Sequence, residues 1–202
     1  MCTNSISLSQ AIFYRRSIYG IGKDVSLTDE AIEGIIRHSV KAGPSPYNSQ
    51  SGRAALLLHE HHQKLWDYAI HFYEKTLPEE FTASIKEKLL GFAAGYGTVL
   101  FFEDQETVKS LQKRFPKVKD TFPSWSLQAS GMLQYSVWIS LEEKGLGASL
   151  QHYNSVLDRF VKETWDIPGS WELIAQMPFG NITKDPDAKT FLPIEERVKV
   201  FK

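Results

Sequence analysis

A single cysteine, Cys2, excludes any disulfide within the chain. Net charge is nearly absent as well: 23 Lys+Arg stand against 24 Asp+Glu, leaving −1. That balance offers no electrostatic footprint for nucleic acid, and no long basic run interrupts it. No apolar run approaches the roughly 18 residues that a membrane span needs. The opening stretch MCTNSISLSQ has no basic region followed by an apolar core, so no signal peptide is expected. There is no internal repeat, no low-complexity segment and no Gly-x-Gly-x-x-Gly fingerprint. These absences set aside disulfide scaffolds, nucleic-acid binders and membrane proteins. A cytoplasmic protein is the expectation, with neither nucleic acid nor membrane as a partner.

What is present suits one domain spanning residues 1–202. The chain is 42% hydrophobic and 12% aromatic, ample for a real core. A short first helix is expected over SLSQAIFYRR, capped by Ser7 or Ser9. Gly20 and Gly22 then break the chain. A second helix starts at Thr28 as cap, with Asp29 and Glu30 in its first turn and Ile32, Ile35, Ile36 and Val40 at helical spacing. Gly43 and Pro44 end it and open the turn-dense stretch GPSPYNSQSG. Buried strands are expected at AALLLH, GYGTVLFFED and SWELIAQMPFG, and an alternating fourth at ERVKVF. Helices are expected over HHQKLWDYAIHFYEK, over FTASIKEKLLGF with Thr82 as cap, over ETVKSLQKRF and over NSVLDRFVKETWDI. The central helix, WSLQASGMLQYSVWISLEEKGLG, has little polar face in its middle and reads as buried on most sides. Two strands lie early, two lie late, and helices lie between. The fold class is therefore α+β, with a sheet assembled from distant segments.

The loudest local signal is LHEHHQKLW, which holds three of the six histidines. A zinc-binding H-E-x-x-H would need histidine where Gln63 stands. His61 and His62 are adjacent, so on a helix they point apart. No metal site is expected, and the stretch reads as a connector with solvated histidines.

Three quieter stretches carry chemistry. Arg15, Arg16 and Ser17 offer two planar guanidiniums and a hydroxyl, which suit a phosphate, although such a tripeptide is usually a solvated helix end. Ser45, Asn48 and Gln50 offer donors and acceptors that can read the edge of a heterocycle, or they simply make turns. GLGASLQHYN places glycines where a backbone can approach a flat ligand closely.

In this order and spacing the three stretches resemble the nitroreductase family of flavin mononucleotide (FMN) enzymes. The likeness covers nearly the whole chain, and GYGTVLFFED, SGMLQYSVW, GLGASLQHYN and PIEERVKVF resemble its compact bacterial and fungal branch. The resemblance implies a nitroreductase-like α+β fold, with a central mixed or antiparallel sheet flanked by helices, in an intertwined homodimer with FMN at the interface. It implies that Arg15, Arg16 and Ser17 bind the phosphate. It implies that Ser45, Pro46 and Asn48, with Gln50 beside them, meet the flavin ring from the other subunit, and that Gln128 reaches the ring across the interface. Leu150 would pack on one ring face, and the backbone of His152 and Tyr153 would lie beside flavin N5. KTFLP matches a phosphate-binding segment through Lys189, but Phe191 stands where arginine is usual, and Arg197 is the candidate replacement. Tyr19 stands where some members have a lysine, and the asparagine and lysine that some members carry before the second strand have no clear match, with Lys86 or Lys88 as candidates, so the cation for reduced flavin is unassigned.

The implied activity is reduction of nitroaromatic or quinone-type acceptors by NADH or NADPH, in a ping-pong hydride transfer through flavin N5. The cofactor carries that chemistry, which accounts for the lack of a catalytic triad or a carboxylate pair. Tyr47, Phe92, Tyr96, Phe122 and Trp125 are candidates for sandwiching a flat substrate, each equally at home in a core. The alternative is a flavin-binding regulatory or storage protein with little turnover.

Overall fold

The computed structural model describes residues 6–202. Cys2 lies outside the described residues. The first helix, α1 (Leu8–Tyr14), starts with a reciprocal capping box: the Ser7 hydroxyl accepts from the Gln10 N–H, and the Gln10 side chain accepts from the Ser7 N–H. The remaining helices are α2 (Asp29–Ala42), α3 (His59–Thr76), α4 (Glu79–Ala93), α5 (Gln105–Arg114), α6 (Phe122–Glu143), α7 (Asn154–Trp165) and the short α8 (Ile194–Arg197). Thr28 caps α2 as its sequence suggests. Thr82 caps nothing: α4 already begins at Glu79, and the Thr82 hydroxyl donates back to the Leu77 and Pro78 carbonyls.

Five strands form one antiparallel sheet: β1 (Gly20–Gly22), β2 (Gly52–Leu58), β3 (Gly97–Asp104), β4 (Leu146–Ala148) and β5 (Trp171–Lys184). The order is β1-β5-β3-β2, with β4 also on β5. β5 is longer than its apolar pattern suggests, because its polar end from Asn181 to Lys184 pairs with β1 and Asn181 also with β4. β1 and β4 have three residues each, too short for alternation to reveal them. The glycines there serve close approach: a Cβ on Gly180 would collide with the Gly22 carbonyl oxygen. The expected strand at ERVKVF does not form. Residues 194–197 make a helical turn, and residues 198–202 are exposed and irregular. Nothing among the described residues pairs with them, so the alternation has no ladder to join there.

β3 is buried along its whole length, as a central strand covered on both faces should be. Alternate side chains supply two cores. Leu100 and Phe102 pack with Leu65, Trp66, Leu89 and Leu157 of α3, α4 and α7. Val99 and Phe101 pack with Ile32, Ile36, Leu133 and Val137 of α2 and α6. The architecture is thus helix, sheet, helix. The central helix α6 is buried on one side only; Leu127, Met132 and Tyr135 are exposed in this chain.

His59 is the first residue of α3 rather than the end of a strand, and it adopts φ 51°. Nor are all three histidines of that stretch solvated. His62 is buried in the interior, its Nδ1 2.8 Å from Thr98 Oγ1 and its Nε2 3.3 Å from the Ala93 carbonyl. Trp66 Nε1 donates to the same Thr98 oxygen at 2.9 Å. The set is satisfied when Thr98 donates to a neutral His62 whose Nε2–H meets Ala93. Burial pushes His62 down from 6.5 to about 4. Its proton is therefore bound less well in the folded chain than in the unfolded one. This contribution is present above pH 6.5 and is lost as the pH falls toward about 4. Wild type should lose roughly 3 kcal/mol more than His62→Gln between neutral pH and pH ~4, because each tenfold change in proton affinity is worth about 1.4 kcal/mol. Urea unfolding at the two pH values checks this, and equal losses would show that His62 is not buried as a neutral base.

Candidate functional site

α1 ends at Arg15, and the chain then crosses the sheet edge. Ser17 bridges Ala148, and the Ile18 N–H donates to the Ala148 carbonyl at 2.9 Å. Arg15, Arg16 and Ser17 line a cleft of about 440 Å³ together with Tyr19, Lys184 and Lys189. Four cationic side chains thus face two carboxylates, Asp185 and Asp187. Arg16 is tied down by donating to the Asp187 carbonyl at 2.8 Å. The Arg15 guanidinium lies 4.3 Å over the Trp138 ring, and its buried Nε has no hydrogen-bond partner among the described residues. An unpaired buried guanidinium N–H is costly, so this arginine has an unmet demand for an acceptor beside a cleft that suits an anion. Glu142 is held nearby. Burial raises its carboxyl, and the Arg15 charge only partly offsets this. Arg197 ends α8, is exposed and does not line the cleft. Of the two lysines considered for the flavin cation, Lys86 is engaged by Glu74 at 2.6 Å. Lys88 lies 5.8 Å over the Tyr19 ring, at the cleft side.

The second stretch follows β4. Leu150 packs against the α2/α6 core. Gln151 exchanges both backbone hydrogen bonds with Gln176 of β5, at 2.7 and 2.9 Å. The buried Gln176 side chain accepts from the Tyr153 N–H at 2.7 Å and donates to Asn154 Oδ1 at 2.7 Å. The Tyr153 ring turns into the other core, beside Trp66 and Phe92, and burial raises its hydroxyl. His152 is exposed, and its N–H has no acceptor among the described residues. Of the two backbone candidates, His152 is therefore the one whose donor is free. Gln176, which enforces this, does not stand out in the sequence; a lone amide inside an apolar strand is the only signal it gives.

The third stretch is strained. Tyr47, Asn48 and Gln50 all adopt left-handed backbone, with φ of 54°, 52° and 53°. Pro46–Asn48 makes a 3₁₀ turn, and the Gln50 N–H donates to Ser45 Oγ at 2.9 Å. The Tyr47 ring lies among Phe115, Phe122 and Trp125, at centroid distances of 4.5, 5.7 and 6.5 Å. Of the aromatics considered for a substrate, Tyr47, Phe122 and Trp125 are thus together. Phe92 is core, and Tyr96 donates to Asp29 at 2.6 Å. Ser45 and Gln50 open onto a cleft of about 1170 Å³, floored by Ala54, Leu56 and Leu58 of β2. Neither cleft holds both the arginines and this loop. Gln128 stands exposed on α6, its amide 3.5 Å from Ser124 Oγ. The three histidines of the loud stretch go three ways: His59 Nε2 lies 2.7 Å from Asp29, His61 accepts from Trp165 at 3.1 Å, and His62 is internal. A left-handed residue other than glycine costs about 1–2 kcal/mol. Gln50→Gly should therefore raise stability by about 1 kcal/mol in urea unfolding. A loss of stability would show that the Gln50 side chain holds the loop.

Comparison with known proteins bears on these features. A family model described as the nitroreductase family matches residues 12–181. The nitroreductase FRM2 of Saccharomyces cerevisiae is 31% identical over 186 residues, covering 90% of this chain and 91% of that protein. The structure of nitroreductase CinD from Lactococcus lactis in complex with chloramphenicol superposes with TM-score 0.88 at 40% identity, covering 97% of this chain and 100% of the other. The same protein has been solved with 4-nitrophenol. A protein from Exiguobacterium sibiricum in complex with FMN shares the fold, with TM-score 0.73 at 12% identity over 100% of both chains.

Proposed function

The chain belongs to the nitroreductase family, and from that premise we propose that it is an FMN-dependent oxidoreductase that uses NADH or NADPH to reduce nitroaromatic or quinone-type acceptors. FMN, when bound, would supply the redox chemistry, a ping-pong hydride transfer through its N5 between a nicotinamide and an electron acceptor. One observation carries the reading. Arg15, whose buried Nε has no partner among the described residues, lines a cleft rich in cations, and the Ser17–Ala148 bridge ties that cleft to the segment bearing Leu150 and His152.

Each residue then has a definite task. Arg15, Ser17 and Lys189 hold the phosphate, and Arg16 anchors the tail through Asp187. Leu150 presents an apolar surface to one ring face. The free His152 N–H donates at N5, while Gln176 keeps Tyr153 from competing. Lys88 supplies positive charge at the cleft edge, where negative charge develops on the reduced ring. The acceptor class draws support from the chloramphenicol and 4-nitrophenol complexes of the Lactococcus protein, since both ligands are nitroaromatic.

The site is completed by a second copy. Ser45 and Gln50 line a different cleft from Arg15, so in a homodimer they and their neighbours Pro46 and Asn48 would meet the partner's flavin, as would Gln128. Two features favour an intertwined dimer. α6 exposes Leu127, Met132 and Tyr135, and the tail exposes Phe191, Leu192, Val198, Val200 and Phe201, apolar side chains that a second copy could cover. Among the described residues the alternating ERVKVF finds no ladder, and β2 is an edge strand with an unpaired side. This arm carries Arg197 to the partner.

Purified protein should be yellow and should oxidise NADH or NADPH with a nitrofuran or quinone acceptor. Colour without turnover would favour the storage reading, and a chain that cannot be loaded with FMN would remove the proposal. Arg15→Ala should weaken FMN binding about ten- to a hundredfold, since a charge-assisted hydrogen bond contributes about 1.5–3 kcal/mol. Flavin fluorescence titration measures this, and unchanged affinity would clear Arg15 of the role.

A further inference from the structure

The proposed chemistry makes no use of Glu103, and its setting is unusual. It lies near the end of β3, opposite Gly52 of β2 and Glu172 of β5. The residue is fully buried, and neither carboxyl oxygen has a hydrogen-bond partner among the described residues. The hydroxyls of Ser49 and Ser51, both in the loop stem, are buried and unpartnered too. A Cβ on Gly52 would stand 3.2 Å from Leu133 Cδ2 and 3.7 Å from Glu103 Oε1, so the carboxyl is wedged between β2 and α6.

The surroundings connect this acid to the strained loop. Arg53 donates to the Gln50 and Gly52 carbonyls and pairs with Asp104 at 2.8 Å. The Asp104 N–H donates to the Ser51 carbonyl at 3.0 Å. The stem from Gln50 to Arg53 therefore wraps the carboxyl, directly after the three left-handed residues. The groups bearing on its charge are Arg53 from β2, Asp104 beside it on β3 and Glu172 from β5. α6 presents Leu133 and carries no charged side chain before Glu142. Burial pushes the Glu103 carboxyl up to about 7. The Ser51 hydroxyl and the Arg53 charge oppose this only in part, and Asp104 and Glu172 add to it. Neither Ser51 nor Glu103 makes a well-aligned hydrogen bond in this arrangement.

We propose that Glu103 is a positioning residue whose protonation holds the flavin-facing loop, residues 43–52, in its strained conformation. The neutral carboxyl needs little hydration and can donate its proton to the Ser51 hydroxyl, which keeps the stem closed. The carboxylate demands water that the closed stem does not admit, so ionisation loosens the stem and the loop with it. The loop's grip on FMN then weakens as the pH rises through neutrality. The sign follows from linkage. The closed, buried state binds the proton more tightly, so it is favoured at low pH and disfavoured at high pH.

This inference rests on the flavin reading, and the test separates the two. FMN affinity is titrated by fluorescence between pH ~6 and ~8.5 for wild type and Glu103→Gln. The phosphate of FMN also titrates near pH 6, so the difference between the two proteins is the readout. Wild type should weaken about tenfold more than Glu103→Gln, whose amide mimics the neutral acid and should bind tightly throughout. Equal pH slopes would overturn the proposal. If the variant does not fold, hydrogen exchange in the wild-type chain decides. After correction for intrinsic rates, exchange over residues 43–53 should rise at least tenfold across the same range, and an unchanged rate would overturn the proposal. If neither protein binds FMN at any pH, the flavin reading fails, while hydrogen exchange still tests Glu103.

Discussion

Backbone pairing along β5 is the constraint on which everything else depends. Three segments far apart in sequence meet there: β1 on residues 181–184, β4 on residues 179–181, and Gln151 on Gln176. Arg15 to Ser17, Leu150 to Tyr153 and Lys184 to Lys189 become neighbours only because their flanking strands share this one partner. The pairing in turn depends on missing side chains. Gly180 meets the Gly22 carbonyl at a distance no Cβ could tolerate, and Gly147 lies against Ile18 in the same way.

The polar groups buried near this spine divide into two kinds. Gln176, Thr98 and His62 are satisfied, and they fix geometry: one occupies the Tyr153 N–H and leaves His152 as the free donor, and the others lock α3 onto β3. Arg15 Nε, Ser51 and Glu103 are not satisfied, and all lie beside clefts or the strained loop. Satisfied buried groups specify a fold, whereas unsatisfied ones are where a ligand, a proton or a second copy has something to stabilise.

Much of the scaffold was legible from periodicity. α2, β3, α5 and α7 lie close to where apolar spacing and caps put them. The failures have physical causes. β1 and β4 are three-residue, glycine-rich strands whose existence depends on β5. ERVKVF has the right alternation but no neighbour among the described residues. α6 looked uniformly apolar, yet one face is exposed, because spacing cannot say whether a helix is covered by its own chain or by another. LHEHHQKLW drew attention through residue type, but its three rings have three different environments set by the start of α3.

By itself, the sequence determined most of the longer helices, the central buried strand, the absence of a zinc signature and a family resemblance that the whole-chain comparisons support. These depend on local spacing and on ordered motifs, both of which survive without tertiary contacts. Only the tertiary structure decided which donors are free. Arg15 Nε and the His152 N–H are without partners among the described residues, while Trp138 of α6 covers the Arg15 guanidinium and Gln176 of β5 takes the neighbouring Tyr153 N–H. It also separated the arginine cleft from the loop cleft, and it buried Glu103 between a strand and a helix. Burial and hydrogen-bond competition are properties of assembled neighbours, and no window of residues contains them.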